Sequence, residues 1–368
     1  MSEGQVILLS RRRGVEKMGH DYLSRAHAAA RLADLLGYAY AGDYRERRFA
    51  AGHAYFVPDD TLHADDAVRI GVLSDRDLFG GVAPHAFVAT KALTHGTVSA
   101  EAHAPAGWVP ALAAQLEDAV LYGFTAFARG DARLAARRVL QRGRARLKRA
   151  VGTGGAGQTV VADIDEFDAA LAAVDDAELQ ACGVVVEQNL EEAVTYSIGH
   201  LQVGGRRIAY YGTQHTVRNH HGHDVYGGSE LVVMRDGAGP PERADMSAAL
   251  RAALTRAQRY EAAVVRAFPR FFASRHNYDV ACGRDADDGM HIGVLEQSWR
   301  FGGASPAEIA ALHAFERDPG LHRVRASTHE IYDDVEPPRG AIVSFRGDDP
   351  NAGRMTKYSL VDAHGHPA

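Results

Sequence analysis

One lysine and a run of glycines carry the first chemistry in this chain. The stretch Arg144-Ala-Arg-Leu-Lys-Arg-Ala-Val-Gly-Thr-Gly-Gly-Ala-Gly-Gln-Thr-Val-Val161 places Lys148 just before a loop holding four glycines, Gly152, Gly154, Gly155 and Gly157. Without a Cβ, such a backbone can turn its N–H groups inward and approach a ligand closely. Successive inward N–H groups form an anion-binding concavity, and the lysine adds a full positive charge. That is chemistry for a polyphosphate, most simply ATP. The same letters without a ligand make a plain hairpin with a glycine tip.

Gly152, Gly154 and Gly157 also spell G-x-G-x-x-G, the dinucleotide fingerprint, which requires a helix at the last glycine. Here the chain continues Gln158-Thr-Val-Val-Ala-Asp163, a β-branched run that reads as a second strand, with a helix only from Asp165 to Ala173. A glycine loop between two antiparallel strands covers phosphates from above, as a kinase glycine loop does. An oxidoreductase built on the fingerprint is therefore the weaker alternative.

Acidic residues supply the opposite charge. Asn277-Tyr-Asp-Val-Ala-Cys-Gly283 reads as a strand carrying Asp279, and Ile292-Gly-Val-Leu-Glu-Gln-Ser-Trp-Arg-Phe-Gly-Gly303 as an extended segment on which Glu296, Ser298 and Arg300 share one face. A hairpin between them sets Asp279 near Glu296. Two carboxylates beside a phosphate make a site for a hard cation, Mg²⁺. A buried like-charged pair needs a cation or a proton in any case. Upstream, Gly183-Val-Val-Val-Glu-Gln-Asn-Leu-Glu-Glu192 is a strand ending on Glu187 and a short polar connector. Such a connector can act as a hinge against which a purine lies, with backbone groups reading the base edge and a carboxylate taking the ribose hydroxyls. An isolated lysine, Lys91, lies in Phe87–His95; taken alone it reads as an exposed helix lysine.

The segment from Gln214 to Gly228 is rich in histidine (His215, His220, His221, His223) and carries Arg218. A metal site, a substrate-facing loop bearing Arg218 and a mobile surface loop are all compatible with that composition.

The elements that must position these residues follow from periodicity. Gln5–Ser10 reads as a buried strand, Asp21–Leu36 as a helix started by Asp21 and ended by Gly37, and Ala54–Val57 and Val68–Leu73 as short strands. That order predicts a small α/β unit with a partly parallel sheet. Helices are expected from Ala111 to about Phe127 and over Met246–Phe268, and a hairpin over Val194–Val203 and Arg206–Tyr211 through Gly204-Gly205. Residues 321–368 read as a tail with one strand, Gly340–Phe345, and no assignable role.

Composition bounds the rest. The 368 residues are enough for two or three domains. A net charge of −6 argues against a general nucleic-acid partner, and the basic run from Arg129 to Arg149 is local. The cysteines Cys182 and Cys282 give no disulfide framework or four-thiolate metal site, in keeping with a reducing cytoplasm. No apolar run reaches membrane-spanning length, and the N-terminus lacks the order of a signal peptide.

Taken in order, a lysine, a lysine with a glycine hairpin, a hinge glutamate, an aspartate and then E-x-S-x-R resemble the ATP-grasp superfamily over about residues 85 to 310. Within it, Leu78-Phe-Gly-Gly-Val-Ala-Pro84 through Thr90-Lys-Ala-Leu-Thr-His95 is similar to the bacterial domain-of-unknown-function family 3182. The resemblance implies an α/β (α+β) chain: residues 1–85 a Rossmann-like pre-ATP-grasp domain, 86–320 the ATP-grasp domain with a lid at about 140–190, and 321–368 the tail.

It also implies roles. Lys91 and Lys148 match the phosphate-contacting lysines, and Gly152 to Gly157 the phosphate lid. Glu187 matches the hinge acid at the adenine, Leu190 the residue whose backbone reads the purine edge, and Glu191 or Glu192 the ribose acid. Asp279 and Glu296 match the metal carboxylates. Ser298 stands where the family usually has Asn; a shorter, neutral ligand would hold a second Mg²⁺ more weakly or through water. Arg300 matches the arginine that steadies an acyl- or carboxy-phosphate.

The implied activity is an ATP-dependent carboxylate–amine ligase using Mg²⁺, with Mn²⁺ as the alternative ion, and with Lys148, Arg300 and Arg218 neutralising charge. Its partners are a small-molecule carboxylate and an amine, with no nucleic acid and no membrane, and a homodimer is the base-rate expectation. Biotin-carboxylase-like bicarbonate activation and a non-catalytic nucleotide-binding regulator are the alternatives.

Overall fold

The computed structural model describes residues 3–11, 16–45, 52–150, 157–236 and 246–362. The chain opens with β1 (Gly4–Leu9), α1 (His20–Leu36), β2 (Ala39–Asp43) and β3 (His53–Pro58), whose strands form a parallel sheet in the order β2-β1-β3. Alanine and leucine at helical spacing (Ala28, Ala29, Leu32, Ala33, Leu35) bury the face of α1 that covers this sheet. Gly37, at φ 69°, ends the helix. Asp21 does not cap its start. The His20 N–H instead donates to Asp349 Oδ2 at 2.7 Å, from the far end of the chain.

Next come β4 (Leu62–His63), α2 (Ala64–Ile70) and β5 (Gly81–Ala83). The strand expected at Val68–Leu73 is instead the end of α2 and the loop after it. Asp65 and Asp66 in the first turn suit the positive end of the helix dipole, Ala64 and Ala67 bury one side, and Gly71 closes it. Two short 3₁₀ turns, Ala86–Ala89 and Lys91–Thr94, lead to α3 (Ala111–Leu116) and β6 (Gly123–Ala126). The helix expected to reach Phe127 therefore stops at Leu116. Its apolar positions Phe124 and Phe127 still pack inward, but from a strand and its exit.

The next region, which includes the lid expected at about 140–190, contains α4 (Arg129–Leu140), β7 (Ala145–Arg149), β8 (Gln158–Val161), α5 (Ile164–Ala172), α6 (Asp176–Cys182) and β9 (Val184–Gln188). Its antiparallel sheet runs β6-β9-β7-β8. Asp163 caps α5 and Asp175 caps α6, each through its side-chain oxygen. Strand alternation sorts the residues of this sheet. Ala145, Leu147, Val184 and Val186 enter a core with α4 and α5, so Arg146, Lys148 and Glu187 share the opposite face.

The rest of the chain builds one large antiparallel sheet from β10 (Glu191–Val203), β11 (Arg206–Arg218), β12 (Asp224–Arg235), β14 (Arg275–Arg284), β15 (Met290–Ser298), β16 (Arg323–Ile331), β17 (Ile342–Asp349) and β18 (Gly353–Asp362), with α7 (Ala248–Ala267), β13 (Phe272–Ala273) and α8 (Ser305–Arg317) between them. Its order is β15-β14-β10-β11-β12-β16-β18-β17. Much of the histidine-rich stretch, expected as a loop, belongs to β11 and β12, with Asn219–His223 as the turn. The stretch after Leu321 holds three strands where one was expected. It is joined to α1 through Asp349 and through Lys357, whose Nζ lies 3.0 Å from His20 Nδ1. No helix among the described residues is long and apolar enough to cross a membrane.

Candidate nucleotide and metal site

The predicted carboxylates meet. Asp279 on β14 and Glu296 on β15 are directly opposed in the antiparallel register, so their side chains leave the same face of the sheet. The Asp279 Oδ1 accepts from Gln214 Nε2 at 2.6 Å and from Asn277 Nδ2 at 3.0 Å. Asn277 is itself fixed by Ser197 and Tyr210 hydroxyls at 2.8 and 3.0 Å. Burial, and then the nearby charge of Glu296, push the Asp279 carboxyl up to about 6.

Lys91 is the counter-charge. It is buried, not the exposed helix lysine that the residue alone implies, and its Nζ lies 2.6 Å from Glu296 Oε2. Gln297, pointing to the other face of β15, sets its position. Its Nε2 donates to the Val88 and Thr90 carbonyls at 3.0 and 2.8 Å, while its Oε1 accepts from Tyr260 at 3.0 Å. The main chain entering Lys91 is thereby tied to β15, the strand of Glu296.

Lys148 and Glu187 form the second pair, on the lid side. The Lys148 ammonium and the Glu187 carboxylate are in direct contact, and each residue is 1% exposed. His95 Nε2 lies 3.1 Å from the other Glu187 oxygen. Burial alone would raise the Glu187 carboxyl, but Lys148 and His95 outweigh it and the net shift is downward. One short segment thus carries both Lys91, which meets the large sheet, and His95, which meets the lid sheet.

Sequence reading did not single out His95. It also passed over Arg146, whose Nη2 donates to Asn189 Oδ1 at 2.7 Å beside the hinge. The alternation Arg146, Lys148 against Ala145, Leu147 was the available signal for Arg146. His95 had none, because its partner lies 92 positions away.

At the hinge, Leu190 is 9% exposed and joins Leu121, Ala281 and Leu295 in a small apolar cluster between the lid sheet and β14–β15. Glu191 and Glu192 are exposed, and Glu192 has φ 48°, where β10 departs from regular pairing with β14. Of the lid glycines, Gly152, Gly154 and Gly155 lie outside the described residues. Gly157 has φ 73° and β8 follows it directly, so no helix begins there and the dinucleotide alternative fails.

Ser298 closes β15 opposite Asn277. Arg300 follows, with its Nη1 on the Phe301 carbonyl at 2.9 Å and its Nε 4.0 Å from Asp60 of the N-terminal unit. A buried clamp holds this turn. Arg275 forms a bidentate pair with Glu308 at 2.8 and 2.7 Å, and its Nη1 donates to the Ser298 and Arg300 carbonyls at 3.1 and 2.8 Å. Gly303 allows the turn to pack: a Cβ there would lie 2.3 Å from the Tyr226 ring. Arg218 stands apart, 80% exposed at the hairpin tip, with its Nε 3.7 Å from Asp224.

A parallel-sheet unit leading into a small antiparallel sheet that contains β7 and β8, and a large antiparallel sheet with paired carboxylates, define an ATP-grasp fold preceded by a Rossmann-like α/β domain. The chain belongs to the family described as "Protein of unknown function (DUF3182)", whose model matches residues 8–359.

Among solved structures it is similar to N5-carboxyaminoimidazole synthetase from Staphylococcus aureus complexed with ADP, at TM-score 0.53 and 11% identity over 97% of this chain and 93% of that one. It is also similar to phosphoribosylamine–glycine ligase from Thermotoga maritima, at TM-score 0.51 and 12% identity over 98% of this chain and 92% of that one. No curated protein matches the sequence.

Proposed function

We propose that this chain is an ATP-dependent carboxylate–amine ligase. The observation that carries the reading is the in-register pair of Asp279 and Glu296, opposed by the buried Lys91 and lying on the face toward Ser298 and Arg300. Its donor set fits a hard divalent cation. Two carboxylates share a face, and Asp279 is pushed up by burial and by Glu296, so a positive ion relieves the repulsion. Asp279 and Glu296 would hold Mg²⁺ or Mn²⁺, with Ser298 as a weaker third ligand; the ion would supply charge neutralisation at the nucleotide phosphates.

The residues of the chain do the remaining work by positioning and electrostatics. A purine would lie against the apolar cluster of Leu121, Leu190, Ala281 and Leu295, with the Leu190 backbone at the base edge and Glu191 or Glu192 for the ribose hydroxyls. Lys148 is held by Glu187 and Lys91 by Glu296, so both ammonium groups are fixed before phosphates arrive. A substrate carboxylate attacks the γ-phosphate, giving an acyl-phosphate and ADP. Arg300 neutralises the acyl-phosphate, and Arg218 reaches it only if the hairpin tip closes over the site. An amine then displaces phosphate to form the amide.

ADP release measured with panels of carboxylates and amines tests the reading. A Lys148→Ala or Arg300→Ala variant with full turnover on the true substrates would overturn the assigned roles. A second reading, a nucleotide-binding regulator, draws on Ser298 alone; nucleotide binding without ADP release for any pair would favour it.

A further inference from the structure

A cluster unrelated to the nucleotide face lies on the other side of the large sheet. His200 on β10 and His276 on β14 are register partners with stacked rings, centroids 4.2 Å apart and planes 17° apart. Glu261 on α7 meets both. Its Oε1 lies 2.8 Å from His200 Nε2 and 3.1 Å from His276 Nδ1. His276 and Asp279 are three positions apart on one strand, which puts them on opposite faces. Tyr278 shares the His276 face and packs on Tyr260, Glu261's neighbour on α7.

The contact between His276 and Glu261 needs a positive charge or a proton between the two groups. His276 Nε2 lies 3.1 Å from the Ala273 carbonyl, which can only accept, so that nitrogen carries the proton. Nδ1 is then a lone pair aimed at a carboxylate oxygen, with only the Tyr278 hydroxyl, at 3.4 Å, to offer it a hydrogen. A ring whose outer nitrogen is fixed by a backbone carbonyl, with its inner nitrogen facing a carboxylate, is the arrangement of a metal-ligating histidine.

We propose that His200 Nε2, His276 Nδ1 and a Glu261 carboxylate oxygen bind a divalent transition-metal ion of the zinc class, fastening α7 to β10 and β14. The ligand atoms all lie within 4.8 Å of one another. Tetrahedral zinc with bonds of about 2.0–2.2 Å separates its ligand atoms by about 3.3 Å, and an imidazole lone pair lies in its ring plane, so binding requires the stacked rings to turn about their side-chain bonds until both planes contain the ion. Imidazole with one carboxylate selects such ions over Mg²⁺. Three protein ligands leave a position open, and it faces outward, because the His200 side chain is 47% exposed while that of His276 is 10% exposed.

The test is titration of chelator-treated full-length protein with Co²⁺ alone, followed by visible absorption and calorimetry. The expected result is intense bands of a four- or five-coordinate imidazole site that saturate at one equivalent and are displaced by Zn²⁺, any Co²⁺ held by the Asp279 and Glu296 oxygens giving only weak octahedral absorption. His200→Ala changes a half-exposed residue and Glu261→Gln keeps the shape of the side chain, so both should fold. Each should weaken binding by at least about tenfold, since even outer-shell partners are worth about 10–100-fold. Asp279→Asn, which alters only the oxygen-ligand site, should leave the bands unchanged, as should His221→Ala/His223→Ala at the exposed hairpin tip. Absence of the bands, or full binding by His200→Ala and Glu261→Gln, overturns the assignment. Neither outcome bears on the ligase reading.

Discussion

Replacing Lys148 by Met removes one charge from a pair that water does not reach. Lys148 and Glu187 are each 1% exposed and His95 is 4% exposed, so the Glu187 carboxylate left behind keeps the His95 ring as a hydrogen-bond partner and the Arg146 guanidinium as a nearby charge, without the direct contact of an ammonium. Breaking a buried pair by deleting one partner costs about 3–5 kcal/mol, because the survivor is an uncompensated buried charge. The double variant Lys148→Met/Glu187→Gln removes that charge while keeping a hydrogen bond to His95. It should recover most of the loss, with a coupling energy of about 2–3 kcal/mol. Native-state hydrogen exchange at the β7 and β9 amides reads the local free energy directly in a protein this large. Calorimetric titration with Mg·ATP then separates stability from function: if Lys148 meets the phosphates as proposed, both variants should bind nucleotide weakly. If Lys148→Met exchanges like the wild type, or the double variant is as open as the single, the pair is not the buried unit described.

Asp279→Asn tests the carboxylate pair through pH. Asp279 is raised in the folded state, so its contribution is fully present below its ordinary value near 3.8 and is lost as pH climbs through about 6. The variant should therefore stabilise metal-free protein at about pH 8 by at most about 3 kcal/mol, read as a higher thermal midpoint, and change it little near pH 4. Ser298→Asn restores the side chain usual in ATP-grasp proteins; it should lower the Mg²⁺ concentration needed for half-maximal nucleotide binding, and an unchanged requirement would remove Ser298 from the ligand set. Gly303→Ala drives a methyl group into the Tyr226 ring and should destabilise by about 1–3 kcal/mol in a thermal melt; a neutral result would mean that the turn carrying Arg300 is loose.

The sequence alone determined the parts of this protein that rest on local pattern. The alternation around Asp279 and Glu296, the β-branched run after Gly157 and the valines leading to Glu187 each specified a strand, and the order of charged residues along the chain carried the resemblance to ATP-grasp proteins. Local pattern misled at Val68–Leu73, at Leu116–Phe127 and in the stretch after Leu321, where pairing with distant strands or a helix cap decided the outcome.

Tertiary structure alone decided which charges meet. Lys91 looks like a surface lysine until Gln297 draws its main chain to β15. His95 becomes part of the site only where the lid sheet closes on its segment, and Asp349 caps a helix at the opposite end of the chain. Side-chain periodicity reports which face of its own element a residue occupies, and carries no information about what another element, far along the chain, will bring to that face.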